Sequence, residues 1–410
     1  MPVSRPEAEL LLCCARATRT PKTTAQIQAL LQAGIDWEYL LRMAQGHGVA
    51  PLLYWHLEAT DKEVIPESVL SDLRNRFRAN NLRNLFLTGE LLRILKAFEV
   101  HGISAVPYKG SVLAASVYGN LALREFKDLD IMVRRYDVPK AQEVLASMGY
   151  RSRYRLTGAQ EAAFLRSQCE HPFKREDGKS IVELHWEVTE RYLSFSLDTR
   201  HLWERLERVP LGGDLVLNFS PEDMLLILCV HGSKHAWEQL GWICDVAELI
   251  RARQDIGWEK VMAQAGALGG ERMLLLGLFL ANDLLGAALP EGVSQKVRED
   301  SAVRALAERV TEQLFLETGY PTELLEEYEG TPAFHALHLK VRERLRDKIR
   351  YCVRKATTLS GDDWELLSLP GFLFPFYYVL RPIRLAGKHG LRVLKRLSYD
   401  PKKSKPSEFS

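Results

Sequence analysis

Between residues 103 and 188 the hydrophobic pattern of this chain switches from helical spacing to short strand-like runs, and helical spacing returns beyond residue 221. That switch constrains the fold more than any other feature. On the N-terminal side, Trp37, Leu40, Leu41 and Ala44 recur at helical spacing behind Asp36, a residue type that caps helices. Leu91, Ile94, Leu95 and Phe98 repeat the pattern, which stops at His101-Gly102, where glycine serves as a helix end. Within the window, 103–108, 128–133, 150–156 and 180–188 read as strands, and 112–118 as a short helix. Asp137, with Pro139 in the first turn, opens a further helix whose apolar stripe is Ala141, Val144, Leu145 and Met148 and whose end is Gly149. Pro221-Glu222-Asp223 then starts a long apolar helix, and the pattern continues through 241–250 and 258–317. The expected fold class is α/β (α+β), a small mixed sheet flanked by N-terminal and C-terminal helical domains. The expected division is 1–100 helical, 101–218 α/β, 219–320 helical and lining the cleft, 321–400 helical and basic, and 401–410 disordered.

Composition excludes several classes. With 46% hydrophobic and 26% charged residues, the chain has the balance of a soluble globular protein. Its 55 basic residues stand against 53 acidic ones, a net charge of +2, so no global basic excess points to nucleic acid. No apolar run reaches the roughly 18 residues a membrane span needs, and the N-terminus lacks a signal-peptide pattern. The six cysteines, at 13, 14, 169, 229, 244 and 352, form no Cys-x-x-Cys pair and sit mostly in apolar segments. A reduced, cytoplasmic protein with buried thiols and no zinc site is the expectation.

The chemistry lies in the strand window. Asp128 and Asp130 stand at i and i+2 on a strand, so both side chains project from one face. Like charges held that close call for a cation, and Mg²⁺, or Mn²⁺ in its place, suits an oxygen-donor set. Glu183 is the candidate third carboxylate on a later strand, where Glu183, His185 and Glu187 share a face. It would complete a two-metal site. Gly110-Ser111 lies between a strand and a helix start, a place where free N–H groups hold phosphate. Lys109 and Arg124 add positive charge. Each has an ordinary alternative: Lys109 pairing with an aspartate, Arg124 lying solvated on the surface. His231 and His235 have a metal-like spacing but lack the glutamate of a zinc-protease helix. Trp237 and Trp242 read as core rather than as base-stacking platforms, and Asp245 as the partner of Lys234 or of a nearby arginine.

The stretch YKGSVLAASVYGNLALREFKDLDIMV resembles the DNA polymerase β-type nucleotidyltransferase superfamily, whose motif is Gly-Ser followed by Asp-x-Asp. More closely, the chain resembles the bacterial family of uncharacterised nucleotidyltransferases, through Asp36-Trp37, Glu183-Leu-His-Trp186 and His231-Gly-Ser-Lys-His235. The likeness covers roughly residues 30–260, with a weaker echo near 369–384. It departs from the wider superfamily in the sixteen residues between Ser111 and Asp128, and in a glutamate as third acid, with Glu187 as its fallback. The resemblance implies that 101–218 is the catalytic domain and that Lys109, Gly110, Ser111, Arg124, His231, Lys234 and His235 contact nucleotide. It also implies that Asp128, Asp130 and Glu183 hold metal and carry the chemistry. The expected function is transfer of an NMP group from an NTP to an acceptor hydroxyl on a small molecule, sugar, peptide or RNA. The alternatives are a catalytically silent NTP-binding regulatory module and a transferase acting on RNA ends. The apolar and basic segment 372–405 is a candidate for peripheral membrane contact.

Overall fold

A computed structural model of the chain describes residues 5–60, 64–154, 158–189, 199–316 and 332–359, with isolated residues at 193, 195, 197, 376, 377, 380 and 381. The segment 372–405 lies almost wholly, and the tail 401–410 wholly, outside the described residues, and so do 155–156 of the strand expected at 150–156.

Four short helices open the chain: α1 (Pro6–Cys14), α2 (Pro21–Leu31), α3 (Trp37–Gly46) and α4 (Ala50–Leu57). Asp36 caps α3 as its residue type dictates, its Oδ1 accepting from the Tyr39 N–H at 3.0 Å. A 34-residue helix follows, α5 (Glu67–Val100), of which the expected 91–98 stripe is only the last third. The strand window then supplies β1 (Ala105–Pro107), α6 (Gly110–Ser116), β2 (Leu129–Val133), α7 (Val138–Ser147) and β3 (Tyr150–Ser152). Next come α8 (Gly158–Ser167), β4 (Glu170–Arg175), β5 (Ile181–His185), α9 (Thr199–Glu204) and a hairpin of β6 (Glu207–Leu211) and β7 (Asp214–Asn218). The C-terminal helices are α10 (Pro221–Lys234), α11 (Leu240–Ala252), α12 (Trp258–Leu268), α13 (Glu271–Leu285), α14 (Glu291–Glu299), α15 (Ser301–Leu314), α16 (Pro332–Lys340) and α17 (Leu345–Thr357). No helix among the described residues is long and apolar enough to cross a membrane.

The fold class is the expected one: a mixed sheet set among helices. Its five strands run in the order β1-β2-β5-β4-β3. The one parallel pairing, β2 with β5, aligns Asp130 with Glu183 and Met132 with His185. Two acids far apart in sequence thus become neighbours across one ladder. Chain contacts group the protein into two units, the larger being Met1–Arg153, Cys169–Thr189 and Phe195–Lys348. Tyr154–Gln168, Glu190–Ser194 and Ile349–Ser410 make the smaller, which includes α8 and most of α17.

The larger unit holds the sheet and an apolar core to which α10, α11 and α13 contribute together with the N-terminal helices and α15. Trp237 is fully buried there, as expected of a core residue. Its ring occupies a slot between Gly232 and Gly277: a Cβ added at Gly232 would overlap the ring, and one at Gly277 would lie 2.6 Å from Cys229 Sγ. Glycine is therefore a packing requirement at both positions. All six cysteines are free; Cys13 is half-buried and Cys352 exposed, the other four buried.

Candidate functional site

One cavity of about 420 Å³ opens in the larger unit, a size within the usual small-molecule range. Lys109, Gly110, Arg124, Asp128, Asp130, Glu183, His231, Lys234 and His235 all line it. These residues come from sequence positions more than a hundred apart, and the fold gathers them around the end of β2.

The backbone between β1 and α6 is strained at this point. Lys109 adopts φ 56° and ψ −144°, a conformation that L side chains rarely take, and Gly110 follows at φ 37°. Such strain persists only where surroundings over-determine it, and it concentrates at functional sites. The turn brings Lys109 Nζ to 3.0 Å from Asp130 Oδ1. Its ordinary alternative, pairing with an aspartate, is thus what the structure displays. Burial works against the Lys109 charge, but Asp130, Asp128 and Glu183 together hold its pKa above the ordinary value. Ser111 is buried, and its Oγ has no hydrogen-bond partner.

Asp130 has a second cation. His185 Nε2 lies 3.1 Å from the same Oδ1 and 3.7 Å from Glu183 Oε2, while its Nδ1 lies 3.3 Å from Glu170 Oε2. Burial lowers the imidazole's pKa, but Glu170, Asp130 and Glu183 more than offset it and push it up to about 9. Burial alone would raise Asp130; Lys109 and His185 instead hold it well below the carboxylate range. Asp128 differs. No hydrogen-bond donor among the described residues reaches it, and burial, then Asp130 and Glu183, raise it to about 6.

The donor set accommodates a hard cation. Ligand atoms of Asp130, Glu183 and His185 lie within 4.8 Å of one another. Asp128 lines the same cavity but is not in that group. Two carboxylates on paired strands and a third raised by burial and then by its acidic neighbours are features that a bound cation would satisfy, while Ser111, whose Oγ also lacks a partner, is not among the residues that line the cavity.

A model of the family described as uncharacterised nucleotidyltransferase matches residues 33–286, more than half of the chain. The chain belongs to this family. No curated protein matches it significantly. Among solved structures, it is similar to the antibiotic-resistance factor ANT(2'')-Ia, at 12% identity, with 45% of this chain and 91% of that one covered and a TM-score of 0.32. It is also similar to an antigenic nucleotidyltransferase-like protein from Paracoccidioides brasiliensis, at 14% identity, covering 52% and 96%, with a TM-score of 0.29. Likenesses this distant carry no weight for fold or function.

Within this family member, the remaining expected residues take definite places. Arg124 is not solvated. Its Nε and Nη2 each donate to a different oxygen of Asp245 at 2.8 Å, and the Tyr118 hydroxyl donates to Asp245 at 2.7 Å. Asp245 therefore finds the nearby arginine rather than Lys234. Burial lowers Arg124, but Asp245 more than compensates and keeps it charged. His231 and His235 face each other at 4.8 Å between ring centroids. Burial, then Lys109, lowers His231 well below its ordinary range, so it is neutral. Glu187 lies just beyond the end of β5, half-buried, and does not line the cavity.

Glu170 and Tyr108 are the residues that sequence reasoning passed over. Glu170 lines the cavity from β4, whose antiparallel register sets it opposite His185. Tyr108 packs edge-on against both His185 and Phe219 at centroid distances of 5.2 and 5.5 Å, bracing the imidazole. The β4 segment, EHPFKR, has no β-branched residue and carries a proline, so little in it signals a strand.

Proposed function

We propose that the protein is a nucleotidyltransferase that moves an NMP group from an NTP to an acceptor hydroxyl and releases pyrophosphate. Membership of a nucleotidyltransferase family supports nucleotidyl transfer in general. The observation that carries the finer reading is the parallel register of Asp130 with Glu183, at the mouth of a turn that ends in Lys109-Gly110-Ser111. Asp128, Asp130 and Glu183 would hold two Mg²⁺ ions, with Mn²⁺ as a substitute. When bound, the ions would neutralise the carboxylates and the phosphate oxygens.

The chain's own residues then have distinct tasks. Gly110 and Ser111 receive phosphate oxygens through backbone N–H groups and the Ser111 hydroxyl. Lys109 turns from Asp130 toward phosphate. The acceptor oxygen attacks the α-phosphorus in line while the bond to pyrophosphate breaks, and its proton passes to Glu183. Arg124, pinned by Asp245, and Lys234 supply fixed positive charge beside the leaving group. His231 and His235 border the nucleotide. In this reading 101–218 is the catalytic domain, 1–100 and 219–320 wall the cleft, and the protein works in the cytoplasm on a small-molecule, sugar, peptide or RNA acceptor.

One observation favours the second reading, a silent NTP-binding module: Asp130 is already neutralised by Lys109 and His185. Pyrophosphate release from each of the four NTPs, with Mg²⁺ and a cell extract as acceptor source, separates the two. Release that vanishes in Asp128→Ala/Asp130→Ala supports transfer. NTP binding without release in the wild type would favour the silent module.

A further inference from the structure

The cavity has a wall that neither the carboxylates nor the cations account for. His231 and His235 on α10 and Trp242 on α11 gather ring against ring, with centroids 4.8, 5.5 and 5.1 Å apart. All three line the cavity. Sequence spacing assigns Trp242 to the core, yet it is only half-buried, while Leu240, Ile243, Cys244 and Ala247 fill the inner positions of α11. The turn between the two helices explains its placement. Ala236 and Trp237 both take positive φ, 53° and 57°, which swings the chain so that Trp237 drops into the core and Trp242 returns beside His235.

The Trp242 indole is half-buried, packed in part against the core, and also borders the cavity. The wall shares its cavity with Lys109, Gly110 and Arg124, the residues proposed to meet phosphate. We propose that Trp242, backed by His231 and His235, is the stacking surface for the nucleobase of the bound NTP. The inference rests on the nucleotidyl-transfer reading and extends it by locating the base. A π-surface accepts any base face, because stacking needs no particular hydrogen-bond pattern. Purines, with the larger face, should bind more tightly than pyrimidines.

The test measures affinities by calorimetry, with Mg²⁺, for the four NTPs and for inorganic tripolyphosphate, a ligand with phosphates but no base. Trp242→Leu keeps apolar volume without a π-face, and Trp242→Phe keeps a π-face. Trp242→Leu should weaken every NTP about tenfold and leave tripolyphosphate unchanged, and Trp242→Phe should recover most of the loss. Equal weakening of NTP and tripolyphosphate, or no weakening of NTP, would overturn the assignment and leave the three rings as packing. A wild-type protein that binds tripolyphosphate but shows no gain for any NTP overturns it as well. If the wild type binds neither ligand, the nucleotidyl-transfer reading fails, and the stacking surface fails with it.

Discussion

Two groups of carboxylates in the larger unit, all buried except the half-buried Asp128, are treated in opposite ways. Asp223 on α10 accepts from Arg205 at 3.0 and 2.6 Å, from Ser220 Oγ at 2.8 Å and from Gln264 at 3.1 Å. Asp245 on α11 has three donors of comparable length from Arg124 and Tyr118. Both are acids whose hydrogen-bonding capacity is met by the protein itself. On the sheet, Asp128 has no donor among the described residues, Asp130 shares one oxygen between two cations, and Ser111 Oγ has no partner. Satisfied buried carboxylates hold helices together, whereas crowded and under-satisfied ones are a state that a ligand can improve. The difference separates carboxylates that hold structure in place, Asp245 by fixing Arg124 in the cavity lining, from carboxylates left for a ligand.

The comparison can be broken most directly by neutralising one acid from each group. Asp128→Asn should lower pyrophosphate release by roughly 10²-fold or more. Its melting temperature should hold or rise, because the change removes repulsion among Asp128, Asp130 and Glu183. Asp223→Ala should do the reverse. Breaking a buried pair is worth about 3 kcal/mol of stability, measurable by urea denaturation, while nucleotide affinity of the folded fraction stays near wild type. A fall in stability for Asp128→Asn as large as that for Asp223→Ala would erase the distinction.

The core that supports the site gives a smaller effect. Gly277→Ala places a methyl against Cys229 and Trp237 and should destabilise the fold by about 1–3 kcal/mol with no change in KM for NTP.

The pH dependence sharpens the same contrast. Asp128, held at about 6, must ionise to receive a cation, so Mg²⁺ affinity should fall as pH drops through 6, by up to about tenfold per pH unit. Asp128→Asn should abolish that dependence in calorimetric titrations. The sign for stability is opposite. A carboxyl raised from 3.8 to about 6 binds its proton more readily in the folded chain, so the metal-free fold gains from it below 3.8 and loses that contribution as pH rises through 6.

Much of this was legible in the sequence, and the exceptions have physical causes. Asp36 capped its helix, and Asp130 fell on β2 as spacing required, with Asp128 one residue before the strand begins. The Gly-Ser turn also lay where a strand meets a helix. Pairing was not legible: the neighbouring of Asp130 and Glu183 is a property of register between strands fifty residues apart. Glu170 was hidden because its strand carries a proline and no β-branched residue. Trp242 packs in part against the core, as its spacing indicates, and its place on the cavity was not legible because helical spacing shows which residues share a face, not what that face meets. Arg124 looked like a loop residue, and only the fold shows it held by an aspartate from α11.

The central claim is that the α-phosphorus, rather than the γ-phosphorus, is the one transferred. Parallel reactions with α-labelled and γ-labelled NTP, Mg²⁺ and a cell extract test it directly. The account predicts that the α-label becomes attached to an acceptor while the γ-label leaves as pyrophosphate, and that Asp128→Ala/Asp130→Ala abolishes both. Attachment of the γ-label to the acceptor would contradict it and make the protein a phosphotransferase.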